Sequence, residues 1–162
     1  MDILILVTLG TQDKQFNRLL VAVQKAINEG YIKDKVVVQA GYTHFESKDM
    51  EVFDLIDREK FSSLIAECDL LITHGGVGSI LTGLKNGKKV IACPRLAKYQ
   101  EHVNDHQRQI IERFCQAHLL LKFDENDDLG KVIEQAKDFV PEKFVSNNAN
   151  FVKMVEEFID NN

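Results

Sequence analysis

Three short stretches of this chain concentrate the residue types that hold anions and sugars. The first is Leu70–Ser79, LLITHGGVGS, where an apolar run ends in His74 and is followed by Gly75, Gly76 and Gly78, then Ser79. A strand, a glycine loop and a helix start, in that order, can seat a phosphate. The unpaired amides of the helix N-terminus face the anion, and glycine lets the backbone come close. Glycines also serve tight packing of helix on strand, so the pattern alone is weak; three of them after one strand favour the anion. Ser79 caps the helix, touches the phosphate, or does both. His74 is either a structural hydrogen-bonder, the commoner case for a lone histidine, or an imidazole facing a leaving phosphate. The second stretch is Gly10-Thr11, read equally as a plain turn with Thr11 capping the next helix or as a phosphate contact. The third is PRLAKYQEHVNDHQ, from Pro94 to Gln107, which carries Arg95, Lys98, Glu101, His102, Asn104, Asp105, His106 and Gln107. Its carboxylate and amide side chains are planar and suit sugar hydroxyls. Its bland reading is a solvated loop with Asn104 or Asp105 capping the following helix. His102 and His106 stand four residues apart, but no third ligand of suitable spacing accompanies them, so no metal is expected.

The elements that must position these residues follow from the hydrophobic pattern. Ile3–Val7 is a continuous apolar run of strand length, the mark of a strand buried on both faces. Phe16, Leu19, Leu20, Val23 and Ile27 have helical spacing, ended near Gly30. Val36–Val38 predicts a second strand, Gln39–Lys48 a loop or irregular strand, and Val52–Ile56 a short third strand. The aromatics of that loop are read as core or as contacts to a ligand or partner. Phe61–Glu67 predicts a short helix, Leu70–Thr73 the central strand, and Val77–Asn86 a helix stopped by Gly87. Lys89–Cys93 is a further strand, followed by a long polar loop from Arg95 to Asn104. A helix through Val103, Ile110, Ile111 and Phe114 comes next, then a short strand over Leu119–Phe123. Two helices close the chain, one around Leu129, Val132, Ile133 and Ala136, the other around Phe144, Val152, Val155 and Ile159. Such alternation implies an α/β fold with a mainly parallel sheet and helices on both faces. In such sheets ligands bind beyond the C-terminal strand ends. The loops there are Thr8–Thr11, Gln39–Lys48, Thr73–Ser79 and Pro94–Asp105. They are also the most polar and glycine-containing loops of the chain, and this coincidence outweighs any one of them.

Bulk properties remove several function classes. A chain of 162 residues with 44% hydrophobic and 28% charged residues suits one globular domain, taken as 1–162. A net charge of -5 disfavours general nucleic-acid binding. Cys68, Cys93 and Cys115 are far apart and odd in number, which reads as free thiols in a reducing, cytoplasmic setting. MDILILVTLG lacks a basic n-region and reads as a buried strand rather than a leader. No apolar run is long enough to span a bilayer, so membrane association is expected only through a partner. G-x-G-x-x-G does not follow the first strand, and no acidic residue ends the second, which argues against a Rossmann dehydrogenase. No G-x-x-x-x-G-K-[ST] is present either.

Taken together, VTLGTQDKQFNRLL, QAGYTHFE, LLITHGGVGSI and PRLAKYQEHVNDHQ resemble the glycosyltransferase family 28 C-terminal type of domain. This is the donor-binding half of GT-B enzymes, and the chain resembles the single-domain PssE/EpsF-type subunits of bipartite bacterial polysaccharide glycosyltransferases. The chain is similar also to the small subunit of the eukaryotic enzyme that adds the second N-acetylglucosamine to dolichol diphosphate. The resemblance runs from the first strand to about Gln107.

It implies a Rossmann-like three-layer domain that binds a UDP-sugar as donor substrate, with no cofactor and no metal. It implies an inverting hexosyl transfer to a lipid-linked acceptor in exopolysaccharide or capsule synthesis. The acceptor site, and with it the general base, would lie on a membrane-anchored partner subunit. Carried over by motif, Gly10 and Thr11 border the donor phosphates, and Gly75, Gly76, Gly78 and Ser79 hold the diphosphate. Asn104, Asp105, His106 and Gln107 meet the sugar; His74, Arg95 and Glu101 complete the set of candidate contacts. One position departs from the pattern. Many relatives carry a ribose-binding glutamate on the helix after the glycine loop, where this chain has Thr82. Two other readings accompany this one: a non-catalytic partner that stabilises a membrane-anchored transferase, and a small flavodoxin-like nucleotide-binding regulator.

Overall fold

The computed structural model describes residues 3–144 together with Lys153 and Glu156. Its centre is a six-stranded, wholly parallel sheet. The strands are β1 (Leu4–Thr8), β2 (Lys35–Gln39), β3 (Glu51–Phe53), β4 (Leu70–His74), β5 (Lys89–Cys93) and β6 (Leu121–Lys122). The helices are α1 (Asn17–Asn28), α2 (Arg58–Glu67), α3 (Val77–Lys85), α4 (His106–Gln116) and α5 (Leu129–Asp138). The spatial order β3-β2-β1-β4-β5-β6 makes β1 and β4 neighbours, paired from Ile5–Leu70 to Thr8–Thr73. The chain leaves β1 towards one edge and β4 towards the other. The crevice between their C-terminal ends is therefore the switch point at which such sheets bind ligands.

The apolar runs of the strands feed two cores, one on each face. Ile5, Val7, Leu70, Ile72, Ile91 and Cys93 pack on one side with Leu19, Leu20 and Val23 of α1 and Val132, Ile133 and Ala136 of α5. Leu6, Leu71, Val90 and Ala92 pack on the other with Ile65, Ile80, Leu84, Ile110, Ile111 and Phe114. Strand side chains alternate between faces, so each central strand contributes to both layers, and β1 and β4 carry no polar residue until their C-terminal ends. Cys68 and Cys93 are buried, and all three cysteines are free thiols.

Several boundaries differ from those read in the sequence. β3 and β6 are shorter than the apolar runs at Val52–Ile56 and Leu119–Phe123, since Leu119 and Phe123 serve the cores without pairing. α2 begins three residues earlier than Phe61, because Asp57 caps it by accepting from the Lys60 amide at 2.8 Å. Val103 lies outside α4 and is 76% exposed; the helix begins at His106. The stretch after Pro94 is not a solvated loop. It contains a 3-10 turn at Ala97–Tyr99, and Arg95, Leu96 and Glu101 are buried. The closing helical pattern through Val152, Val155 and Ile159 lies outside the described residues, while Phe144 packs against the second core.

Candidate functional site

A cavity of about 720 Å³ opens at the switch point. Gly10, Thr11 and Gln12 line it from the β1–α1 loop, His74 from the end of β4, and Gly75 through Ser79 from the loop and first turn of α3. His102, Val103, Asn104, His106, Gln107 and Ile110 close its other side. Three stretches far apart in sequence thus meet at one place. None of these lining side chains is a carboxylate, a lysine or an arginine. Polarity comes from backbone amides, amide side chains, hydroxyls and imidazoles.

The helix that faces this cavity starts without a side-chain cap. Gly76 is the cap residue of α3, and no acidic residue lies in the first turn. The first-turn amides of a helix have no acceptor within the helix, and they carry the positive end of its dipole. Ser79 is therefore not the cap expected as one of its two roles. It sits in the third helical position, with Oγ 3.4 Å from His74 Nε2. Thr11 does not cap a helix either, because α1 begins at Asn17. At the start of α4 it is Asn104 Oδ1 that accepts from the His106 amide, at 2.9 Å. Asp105 Oδ1 instead accepts from the Ala97 amide at 2.8 Å.

His74 organises the floor. A side chain at Gly10 would place its Cβ 2.5 Å from His74 Nε2, and one at Gly76 would lie 2.3 Å from His74 Cε1. The imidazole thus occupies the space that two glycines vacate. Gly75 has a similar explanation, since a Cβ there would meet Gln107 Cβ at 2.7 Å. Gly78 has none: nothing lies within 4 Å of its Cβ position, which is exposed. Of the glycines in the loop, it is the one whose bareness protein packing does not require. Burial, followed by the positive field of Arg95 and then His102, pushes the His74 pKa down to about 3. The ring is neutral at physiological pH.

Two buried glutamines hold the loops. Gln39 Oε1 accepts from Thr8 Oγ1 at 2.5 Å and from the Gly10 amide at 3.3 Å, and its Nε2 donates to the Gly10 carbonyl at 3.1 Å. Gly41 allows the Gly10 carbonyl to approach, for a Cβ there would be 2.6 Å from it. On the other side, Gln107 Oε1 accepts from the amides of Gly75 at 2.9 Å and Arg95 at 3.1 Å. Gln12 and His102 touch across the cavity wall at 3.0 Å. Burial and the charges of Arg95, His106 and Lys14 hold His102 below the ordinary histidine value.

Arg95, Glu101 and Asp105, expected among the substrate contacts, do not line the cavity. Arg95 is 1% exposed and donates to the carbonyls of Leu9 at 2.6 Å, Lys14 at 3.0 Å and Glu101 at 3.1 Å. Burial lowers its pKa to about 10, so it stays charged. It stitches the Gly10 loop to the Pro94–Gln107 segment and places a fixed cation behind the cavity wall. Glu101 takes both Oε atoms to Arg18, at 3.1 and 3.0 Å, and one of them also accepts the Leu96 amide. Charged residues in a polar stretch read as surface; their burial follows from partners far away in sequence. Thr82 also lies outside the cavity lining, and its hydroxyl donates to the Gly78 carbonyl at 2.8 Å. Gln12, Gln39 and Gly41 were not singled out as site residues in the sequence. Gln12 directly follows the Gly10-Thr11 turn, the one signal that pointed to it.

Residues 4–161 match the model of the glycosyltransferase family 28 C-terminal domain. The chain belongs to this family. Its fold is that of the C-terminal half of GT-B glycosyltransferases. The glycotransferase of kitacinnamycin superposes with a TM-score of 0.65 at 16% identity, over 97% of this chain and 38% of that one. MurG of Acinetobacter baumannii gives 0.58 at 15% identity, over 85% of this chain and 41% of that one. The chain thus spans well under half the length of these two. The solution structure of ALG13 differs in this respect, with a TM-score of 0.63 at 20% identity over 94% of both chains. No curated protein matches the sequence. Among the described residues, no helix is long and apolar enough to cross a membrane.

Proposed function

We propose that this chain is the nucleotide-sugar-binding part of a two-chain inverting glycosyltransferase, with a UDP-sugar as donor. The observation that carries this reading is the uncapped first turn of α3, which opens with Gly78 bare onto a cavity free of carboxylates. A diphosphate there meets helix amides, Ser79 and the His74 edge. The sugar then extends towards Asn104, His106 and the Gln12–His102 wall. In the transfer, an acceptor hydroxyl attacks the anomeric carbon and the bond to the β-phosphate oxygen breaks. UDP leaves with the bonding electrons, and the acceptor proton passes to a base. Preorganised donors stabilise the charge that develops on the diphosphate. No carboxylate lines this cavity, and we assign the base to the partner chain.

ALG13 matches this chain over 94% of both lengths, which supports reading a domain of this size as one subunit beside a partner that supplies the acceptor site. We place that partner at the cytoplasmic face of the membrane, with a lipid-linked acceptor of exopolysaccharide or capsule synthesis. The experiment is thermal stabilisation across a panel of nucleotide sugars, with the chain alone and with a membrane-anchored protein encoded beside it. UDP-sugars raise Tm with the concentration dependence of one-site binding. Absence of any rise in either form overturns the donor reading, and robust transfer by the single chain to a soluble acceptor overturns the division between two chains.

A further inference from the structure

The amide of Gln107 has almost no freedom. Its Oε1 accepts from two backbone N–H groups, Gly75 at 2.9 Å and Arg95 at 3.1 Å, and the residue is 5% exposed. Backbone amides only donate, so the oxygen must be the atom facing them and the NH2 must face the other way. That NH2 lies 3.3 Å from His74 Nδ1. An NH2 group cannot accept, so His74 Nδ1 is the acceptor and the ring proton sits on Nε2. The ring itself is clamped between Gly10 and Gly76, with Nε2 on the Ser79 side.

We infer that Gln107 is a positioning residue, which fixes His74 as a neutral imidazole that presents an Nε2–H donor towards Ser79 and the cavity. This replaces a direct sugar contact by the Gln107 carbonyl oxygen, whose lone pairs are taken by Gly75 and Arg95. It also makes His74 a donor rather than a proton acceptor. For the bound ligand, and only there, the inference rests on the donor reading above: the Nε2–H would meet an anionic oxygen of the diphosphate. The charged and titratable groups that face His74 are Arg95 and His102, and both oppose a second proton on the ring.

The test reads the tautomer directly, by long-range nitrogen–proton correlation of the histidine rings. In the wild-type chain His74 shows the Nε2–H pattern throughout about pH 5 to 8, where an ordinary histidine titrates. Gln107→Glu keeps an acceptor for the two backbone amides but offers Nδ1 a carboxylate. It moves the His74 midpoint up by about 1–3 pH units. Gln107→Leu, checked for folding by its amide spectrum, gives a mixture of tautomers. An Nδ1–H pattern in the wild type overturns the inference, and so does a His74 signal that neither substitution moves. The wild-type measurement stands even where a variant fails to fold. UDP titration of the chain alone and with its membrane-anchored partner separates the two claims: an Nε2–H pattern without UDP binding in both forms refutes the donor reading and supports the role of Gln107.

Discussion

Two glycines two residues apart should respond to alanine in opposite ways. Gly76 has φ -73° and ψ 131°, which any residue adopts, so the cost of Gly76→Ala is one of contact alone. Its new methyl would lie 2.3 Å from Cε1 and 2.9 Å from Nε2 of a His74 ring that is 7% exposed. Overpacking of this kind costs about 2 kcal/mol, or roughly 6 °C in Tm for a chain of this size. Gly78 is the second residue of α3, and its methyl meets nothing within 4 Å. Alanine there relieves the entropy cost of a helical glycine and stabilises by about 0.5 kcal/mol. The same methyl stands on the face where the diphosphate approaches. Loss of one hydrogen bond to a charged oxygen is worth about 1.5–3 kcal/mol, so UDP affinity falls at least about tenfold. Calorimetric melting and UDP titration of both variants provide the assay. A Gly78→Ala chain that is stabilised and binds UDP like the wild type refutes the assignment of the α3 first turn as the diphosphate seat. A Gly76→Ala chain as stable as the wild type refutes the packing account of His74.

Three further outcomes follow from the same geometry. Glu101→Ala strips a 4%-exposed carboxylate from Arg18 and leaves the Leu96 amide without its acceptor. With Arg18 23% exposed, the loss is roughly 3 kcal/mol, read from urea unfolding; a change below about 0.5 kcal/mol would return Glu101 to the surface. The His74 pKa is depressed from its ordinary 6.5 to about 3, so the unfolded chain binds a proton in that window that the folded chain does not. His74 therefore contributes stability that is fully present above pH 6.5 and is lost as pH falls towards 3. The wild type should lose stability with acid by up to about 1.4 kcal/mol per pH unit more than His74→Asn; equal acid slopes would show a solvated ring. Asp57→Ala removes the α2 cap and costs about 1 kcal/mol in the same unfolding assay.

The parallel sheet was legible because Ile3–Val7, Val36–Val38, Leu70–Thr73 and Lys89–Cys93 are apolar runs bounded by glycine or polar residues. Buried strands leave that signature. The glycine loop and the Asn104–Gln107 segment were legible for a different reason, as polar loops at strand C-termini. What could not be read was the direction in which a polar side chain turns. Arg95 and Glu101 look like surface or ligand-binding residues until Leu9, Lys14 and Arg18 are brought against them from the β1–α1 connection and α1. The glycines carried a similar ambiguity. Gly10, Gly75 and Gly76 yield space to His74 and Gln107, and Gly78 alone among them is left for an approaching ligand. Spacing cannot separate those cases, because each depends on which side chain of another element fills the gap.

Backbone amide shifts of the chain on addition of UDP test the central claim most directly. The account predicts saturable changes at Gly10–Gln12, Gly75–Ser79 and His102–Gln107, with the largest at Val77, Gly78 and Ser79. A second cavity, of about 450 Å³, lies at the opposite ends of the strands and is lined by Ile3, Tyr31, Lys33, Asp69 and Lys89. Changes confined to those residues, or no changes at all, would contradict the account.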